Sequence, residues 1–277
     1  VKLTRKIQSL SIIFRTNTNI EIWDQNKKRI FEKPKIEYAL RCLNSLIKSI
    51  KKVKEKKPNT LIKLQVIDDN SNDENLKKIK DLINSNGIDC KIINHNKSEH
   101  KEKIAAENND ETFGNLSSLL KCFEIAKKEQ SDLIYFVEDD YLHYDHSLVD
   151  MLDTYERISS QHKDEIIVCP SDYPFNYMTN EKTNILIGSR QHWRIITKML
   201  CTFMISKKTF LKHIDSFEKT CEKRHDPFEK YLNEILQKEI AISPVMSLAI
   251  HLTNVNSSYG LSPFVDYKKL WDENKVN

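Results

Sequence analysis

The chain has 277 residues, 39% of them apolar and 30% charged, and its 44 basic and 40 acidic side chains leave a net charge of +4. Such a chain can bury a sizeable core. The balance excludes a disordered polyelectrolyte and leaves no electrostatic footprint for nucleic acid. The four glycines (Gly87, Gly114, Gly188 and Gly260) are isolated, which removes the GxGxxG and GxxxxGK[ST] phosphate loops.

Along the chain, Leu10–Phe14 is a short apolar run rich in β-branched residues and predicts a buried strand that ends in the polar Arg15-Thr16-Asn17. After Pro34, the residues Ala39, Cys42, Leu43, Leu46, Ile47 and Ile50 recur at helical spacing until Pro58-Asn59. The lysines between 48 and 57 read as the solvated end of this helix. A second strand is expected over Leu61–Ile67, then a polar turn at 68–73 and a helix closing at Asn86-Gly87. Cys90–Ile93 predicts a third strand, Gly114-Asn115 the opening of a helix, and Leu133–Val137 a fourth strand that runs into Glu138-Asp139-Asp140.

Beyond this point the signals weaken. Strands are expected at Ile166–Cys169 and Cys201–Ile205, a helix at Asp226–Gln237, and mostly loop from Ser243 on. Six cysteines without a CxxC read as reduced thiols and point to a cytoplasmic protein. No apolar run nears the roughly 18 residues of a membrane span; a peripheral place at the inner membrane face stays compatible with this. No linker or repeat divides the chain, so a single domain over 1–277 is expected.

Strands alternating with helices imply a mostly parallel sheet covered on both faces, with ligands beyond the carboxyl ends of the strands. Three polar clusters fall at such ends: Arg15-Thr16-Asn17, Asp68-Asp69 and Glu138-Asp139-Asp140. Three successive carboxylates repel one another unless a cation sits among them, and a hard divalent ion with oxygen ligands would serve. An acidic turn capping the next helix is the plainer alternative, although a cap needs only one carboxylate.

This ordered set, Asp68-Asp69-Asn70-Ser71, then Gly114-Asn115, then an apolar strand ending in Glu138-Asp139-Asp140, resembles the GT-A fold glycosyltransferases, especially the family 2 type. The resemblance is closest over residues 8 to 145. It implies a GT-A-like, Rossmann-like α/β fold with a nucleotide-sugar-binding half over 1–145 and a less regular acceptor-side half over 146–277. It also implies Mn²⁺ or Mg²⁺ held by Asp140, with a carboxy-terminal histidine, His251, as a further ligand. Glu138 or Asp139 would take ribose hydroxyls or metal-bound water. Asp68 and Asp69 would face base and ribose, with Arg15, Thr16 and Asn115 on the same side. The first acid departs from the family pattern in being Glu138. Arg15 has a structural alternative as partner to one of these carboxylates.

In the same resemblance Asp226 is the general base, with His225 as its substitute, although Asp226-Pro227-Phe228-Glu229 also reads as a capping box. The loop 171–177 and the segment 190–194 offer Tyr173, Arg190, Trp193 and Arg194 to an acceptor; an aromatic mini-core is the alternative. His143 and His146 suggest support behind the metal and a surface position, respectively. The implied activity is metal-dependent, inverting hexosyl transfer from a nucleotide diphosphate sugar, UDP by default, to a carbohydrate or lipid-linked acceptor, without nucleic acid. A non-catalytic nucleotide-sugar-binding protein is the rival. A sugar-phosphate nucleotidyltransferase ranks lower, because no glycine precedes Gly87.

Overall fold

The computed structural model describes residues 2–19, 29–105, 110–253 and 258–276. The first half alternates as expected: β1 (Ser9–Thr16), α1 (Lys35–Lys56), β2 (Leu61–Asp68), α2 (Asp73–Ser85), β3 (Cys90–Asn94), α3 (Asp110–Lys128) and β4 (Leu133–Glu138). The second half continues with β5 (Tyr141–His143), α4 (Ser147–His162), β6 (Ile166–Val168), α5 (Phe175–Met178), β7 (Ile185–Ile187), β8 (His192–Ile195) and β9 (Phe203–Ser206). It ends with α6 (Lys207–Lys212), α7 (Ile214–Thr220), α8 (Lys230–Leu236), β10 (Ile240–Pro244), β11 (Ala249–His251) and α9 (Tyr267–Glu273).

Among the described residues, nine strands form one sheet in the order β3-β2-β1-β4-β9-β6-β10-β8-β7. The pairings leave only β8 and β9 reversed, so the sheet is mostly parallel. Together with the flanking helices this is the expected α/β architecture, a mostly parallel sheet covered by helices. Strand β1 sits between two parallel neighbours and is covered on both faces, which explains its unbroken apolar run from Ile12 to Phe14. Strand β9 runs antiparallel between β4 and β6. Its Phe203 joins an aromatic cluster with Phe123, Phe136, Phe210 and Phe217, in which neighbouring ring centroids lie 4.9–6.1 Å apart.

A smaller core positions the site. Tyr38 and Cys42 of α1 pack with Leu142 of β5, Ile250 of β11, Leu252, and Leu270 and Trp271 of α9. It supports the two-stranded ribbon in which His251 pairs with Tyr141, one residue beyond Asp140. The segment after Ser243 is mostly loop, as expected, but it also holds β11 and α9. The sequence signal was faint because β11 has three residues and α9 seven. Two other boundaries move. Gly114 lies inside α3 rather than opening it, and α8 starts at Lys230, leaving Asp226 outside the helix with no capping role.

The lysines at the end of α1 behave as a solvated face: Lys52 and Lys56 pair with Glu55, and Lys57 with Asp153 and Glu156. All six cysteines are free thiols, including Cys221, which is fully buried despite its polar neighbours. Among the described residues no helix is long and apolar enough to cross a membrane.

Candidate functional site

The register of β1 decides where the polar clusters meet. Thr16 pairs with Asp68 on one side, and Arg15 pairs with Glu138 on the other. The carboxyl ends of β1, β2 and β4 thus open side by side onto one cavity. Its lining includes Arg15, Thr16, Asn17, Lys35, Asp69, Asn115, Glu138, Asp139, Asp140, Glu229 and His251.

Each carboxylate of the triplet has its own basic partner. Arg15 donates to Glu138 Oε1 at 2.6 Å, and its other terminal nitrogen donates to the Asn115 carbonyl, Asn115 Oδ1 and Ser118 Oγ. Burial alone would lower the pKa of this guanidinium, but Glu138 and its neighbours more than reverse that. Asp139 accepts from Lys35 Nζ at 2.5 Å on one oxygen, and from Thr16 Oγ1 at 2.8 Å and the Asn17 N–H at 3.2 Å on the other. Asp140 Oδ2 lies 3.3 Å from His251 Nε2. The repulsion inferred from the sequence is thus relieved to a large extent by protein cations.

His251 is oriented from both sides. Its Nδ1 lies 2.7 Å from the Tyr259 carbonyl, and its ring stacks on Tyr141 at 4.7 Å. Burial lowers the imidazole pKa, but Asp140 outweighs it, so the net shift is upward. The Nδ1–H donates to the carbonyl, which aims Nε2 at Asp140 and the cavity, as in histidines that ligate metals. Among the described residues no cluster of three or more His, Cys, Asp and Glu side chains is arranged to hold a metal. The Asp140–His251 pair still fits a hard divalent ion of the kind that takes one or two protein ligands and completes its shell with phosphate oxygens and water.

Asp68 and Asp69 divide their work. Asp68 is buried and accepts from the Ser71 N–H at 3.1 Å, closing the turn after β2. Asp69 reaches the cavity, where burial pushes its carboxyl up to about 6 against the opposing bond from Asn17 Nδ2 at 3.3 Å. Gly114 makes room for it, since a Cβ there would sit 3.1 Å from Asp69 Oδ2.

The other expected residues are dispersed. Asp226 is exposed and lies outside the cavity lining, and half-buried His225 bonds the Lys219 carbonyl and packs on Tyr231. Three residues further on, Glu229 lines the cavity next to Phe228. Tyr173 is buried with its hydroxyl on that of Tyr141 at 2.6 Å, and Trp193 is a fully buried core residue of β8. Arg190 is exposed, while Arg194 is buried with Asp172 and Tyr177. His143 is a buried partner of the Tyr135 hydroxyl at 2.7 Å, and His146 is half-buried beside Asp145.

Lys35, Arg29 and Glu229 are charged cavity residues that the sequence reading did not assign to the site. A lysine as the first residue of a helix opposes the helix dipole, and that misfit was the available signal for Lys35.

No family model and no curated protein matches the chain. It is similar in fold to solved structures. One is S. aureus TarS 1–349, at 15% identity and a TM-score of 0.47, covering 85% of this chain and 57% of that one. A second is the apo-form glycosyltransferase GlyE of Streptococcus pneumoniae TIGR4, at 11% and 0.47, covering 98% and 61%. A third is the glucosyl-3-phosphoglycerate synthase of Mycobacterium tuberculosis, solved with Mn²⁺, UDP and glucosyl-3-phosphoglycerate, at 10% and 0.40, covering 88% and 72%. The chain thus spans less than two thirds of the first two structures.

Proposed function

We propose that the protein transfers a hexosyl group from a nucleoside diphosphate sugar, UDP-linked by default, to a hydroxyl of a carbohydrate or lipid-linked acceptor, with inversion. The observation that carries this reading is the single cavity where Thr16, Asp69 and the Glu138–Asp140 triplet converge with Asp140 facing His251. Asp69 offers a buried acceptor to the base or ribose, and Glu138, fixed by Arg15, a second one. Asp140 and His251 would hold Mn²⁺ or Mg²⁺, which supplies charge neutralisation to the leaving diphosphate.

The expected base, Asp226, stands outside the cavity, and this reading gives the role to Glu229. Its carboxylate takes the acceptor proton while the hydroxyl oxygen bonds to the anomeric carbon and the diphosphate leaves with the electrons of the broken bond. Incubation with a panel of nucleotide sugars and acceptors, followed by nucleoside diphosphate release, tests the proposal. Glu229→Gln should lower turnover by about 10²- to 10⁴-fold and keep donor binding, whereas Asp226→Asn should stay close to wild type. Binding of the nucleotide without turnover on any donor would instead identify a non-catalytic binding protein.

A further inference from the structure

We propose that Lys35 is a donor-positioning residue: a resident cation of the acidic cluster whose ammonium turns to the diphosphate, so that diphosphate recognition does not depend on a divalent ion alone. This inference rests on the reading of the cavity as the donor site.

Arg15 and Lys35, the partners of Glu138 and Asp139, are built differently. Arg15 is committed, with bonds to Asn115, Ser118 and Glu138 that lock its guanidinium in place. Lys35 lines the same cavity, and among the described residues its Nζ donates only to Asp139 Oδ1. An ammonium carries three N–H groups, so two remain available to an anion. The side chain is 17% exposed and is held next to Asp139 at 10%, so the cation is placed before any ligand arrives.

Asp139 does not need Lys35 to keep its position. Its other oxygen accepts from Thr16 Oγ1 and from the Asn17 N–H, both on the loop end of β1. A phosphate oxygen can therefore share the ammonium, or draw it away, without releasing the carboxylate. The position in the chain supports a role beyond folding. Lys35 is the first residue of α1, where the helix dipole disfavours a cation. The lysine is electrostatically acceptable there because of the acidic cluster across the cavity. Without it, three carboxylates would face an incoming diphosphate with Arg15, already bonded to Glu138, and Arg29 as the permanent cations among the described lining residues.

The test is calorimetric binding of UDP, GDP, CDP and ADP, and of the nucleoside of whichever binds, to wild type, Lys35→Met and Lys35→Arg, each in EDTA and in Mn²⁺. Wild type should bind its nucleoside diphosphate in EDTA. Lys35→Met should weaken that binding by about tenfold or more, the scale of one hydrogen bond to a charged group. It should leave the nucleoside within about twofold, a criterion set by the usual additivity error. Lys35→Arg should recover part of the loss. Equal weakening of nucleoside and diphosphate would show a merely structural lysine and overturn the proposal. So would an unchanged diphosphate affinity in Lys35→Met, or wild-type diphosphate binding that vanishes in EDTA while the nucleoside still binds. If wild type binds none of these nucleotides or nucleosides in either buffer, the donor-site reading itself fails, a result separate from those three.

Discussion

Asp69 has a cost in the folded state that its neighbours only partly offset. Burial pushes its carboxyl up to about 6, while Asn17 pulls the other way. A raised carboxyl means that the native state holds a proton which the unfolded chain has already lost, so stability falls as pH rises from about 4 to 6. Above that window the ionised carboxylate is a standing penalty, with a ceiling of about 3 kcal/mol for a shift of this size. We expect Asp69→Asn to be more stable than wild type at pH 7.5, with the difference closing towards pH 4, and to bind the donor more weakly. Urea titrations at the two pH values measure the first effect. A less stable Asn variant at pH 7.5 would show that the carboxylate is a structural acceptor and not a site residue maintained at a cost.

At the level of elements, β1 and β4 were legible because each carries an apolar run that ends in charged or polar residues, as buried parallel strands do, and β2 and β3 because short β-branched stretches sit between clear helix and turn signals. The convergence of Arg15-Thr16, Asp69 and Glu138-Asp139-Asp140 was legible for the same reason, since a parallel sheet gathers carboxyl ends at one edge. The second half was legible only in part. Strands β6 and β9 fall where apolar runs were expected, whereas β5, β7 and β11 have three residues each, too few to show a period. Trp193 shows the consequence: as a residue type it suits a sugar face, but β8 turns it into the core. The hairpin between β7 and β8 is shaped around it. A Cβ on Gly188 would lie 2.2 Å from Trp193 Nε1 and 2.8 Å from Thr154 Oγ1. Neither group can retreat easily, because both residues are fully buried. Gly188→Ala should therefore destabilise by about 1–3 kcal/mol or more, the usual cost of overpacking. It should lower the thermal midpoint without changing nucleotide affinity in the protein that remains folded.

At the scale of the whole molecule, the buried ionisable groups fall into two sets that oppose each other in acid. Burial pushes His95 and His143 down to about 4, so both are neutral when folded. Unfolded imidazoles take up protons near 6.5, so the stability these two residues contribute is complete above that pH and is lost as pH falls towards 4. The loss is about 3 kcal/mol each on the one-unit conversion. Burial also pushes Asp69 and Asp172 up to about 6, and raises Asp68 and Asp150 in the same direction. These carboxyls act with the opposite sign, regaining stability as pH falls through the same window. We therefore expect a urea midpoint that changes little between pH 6.5 and 4.5, where His95 and His143 alone would produce a steep acid slope. The double variant Asp69→Asn/Asp172→Asn removes two of the compensating groups and should expose that slope, losing several kcal/mol over the interval on the same conversion. The slope is the diagnostic and the absolute level is not, because Arg194 loses its partner Asp172 in the variant at every pH. Parallel profiles for wild type and double variant would mean that these carboxyls titrate alike in the folded and unfolded chains, and that the flatness has another origin.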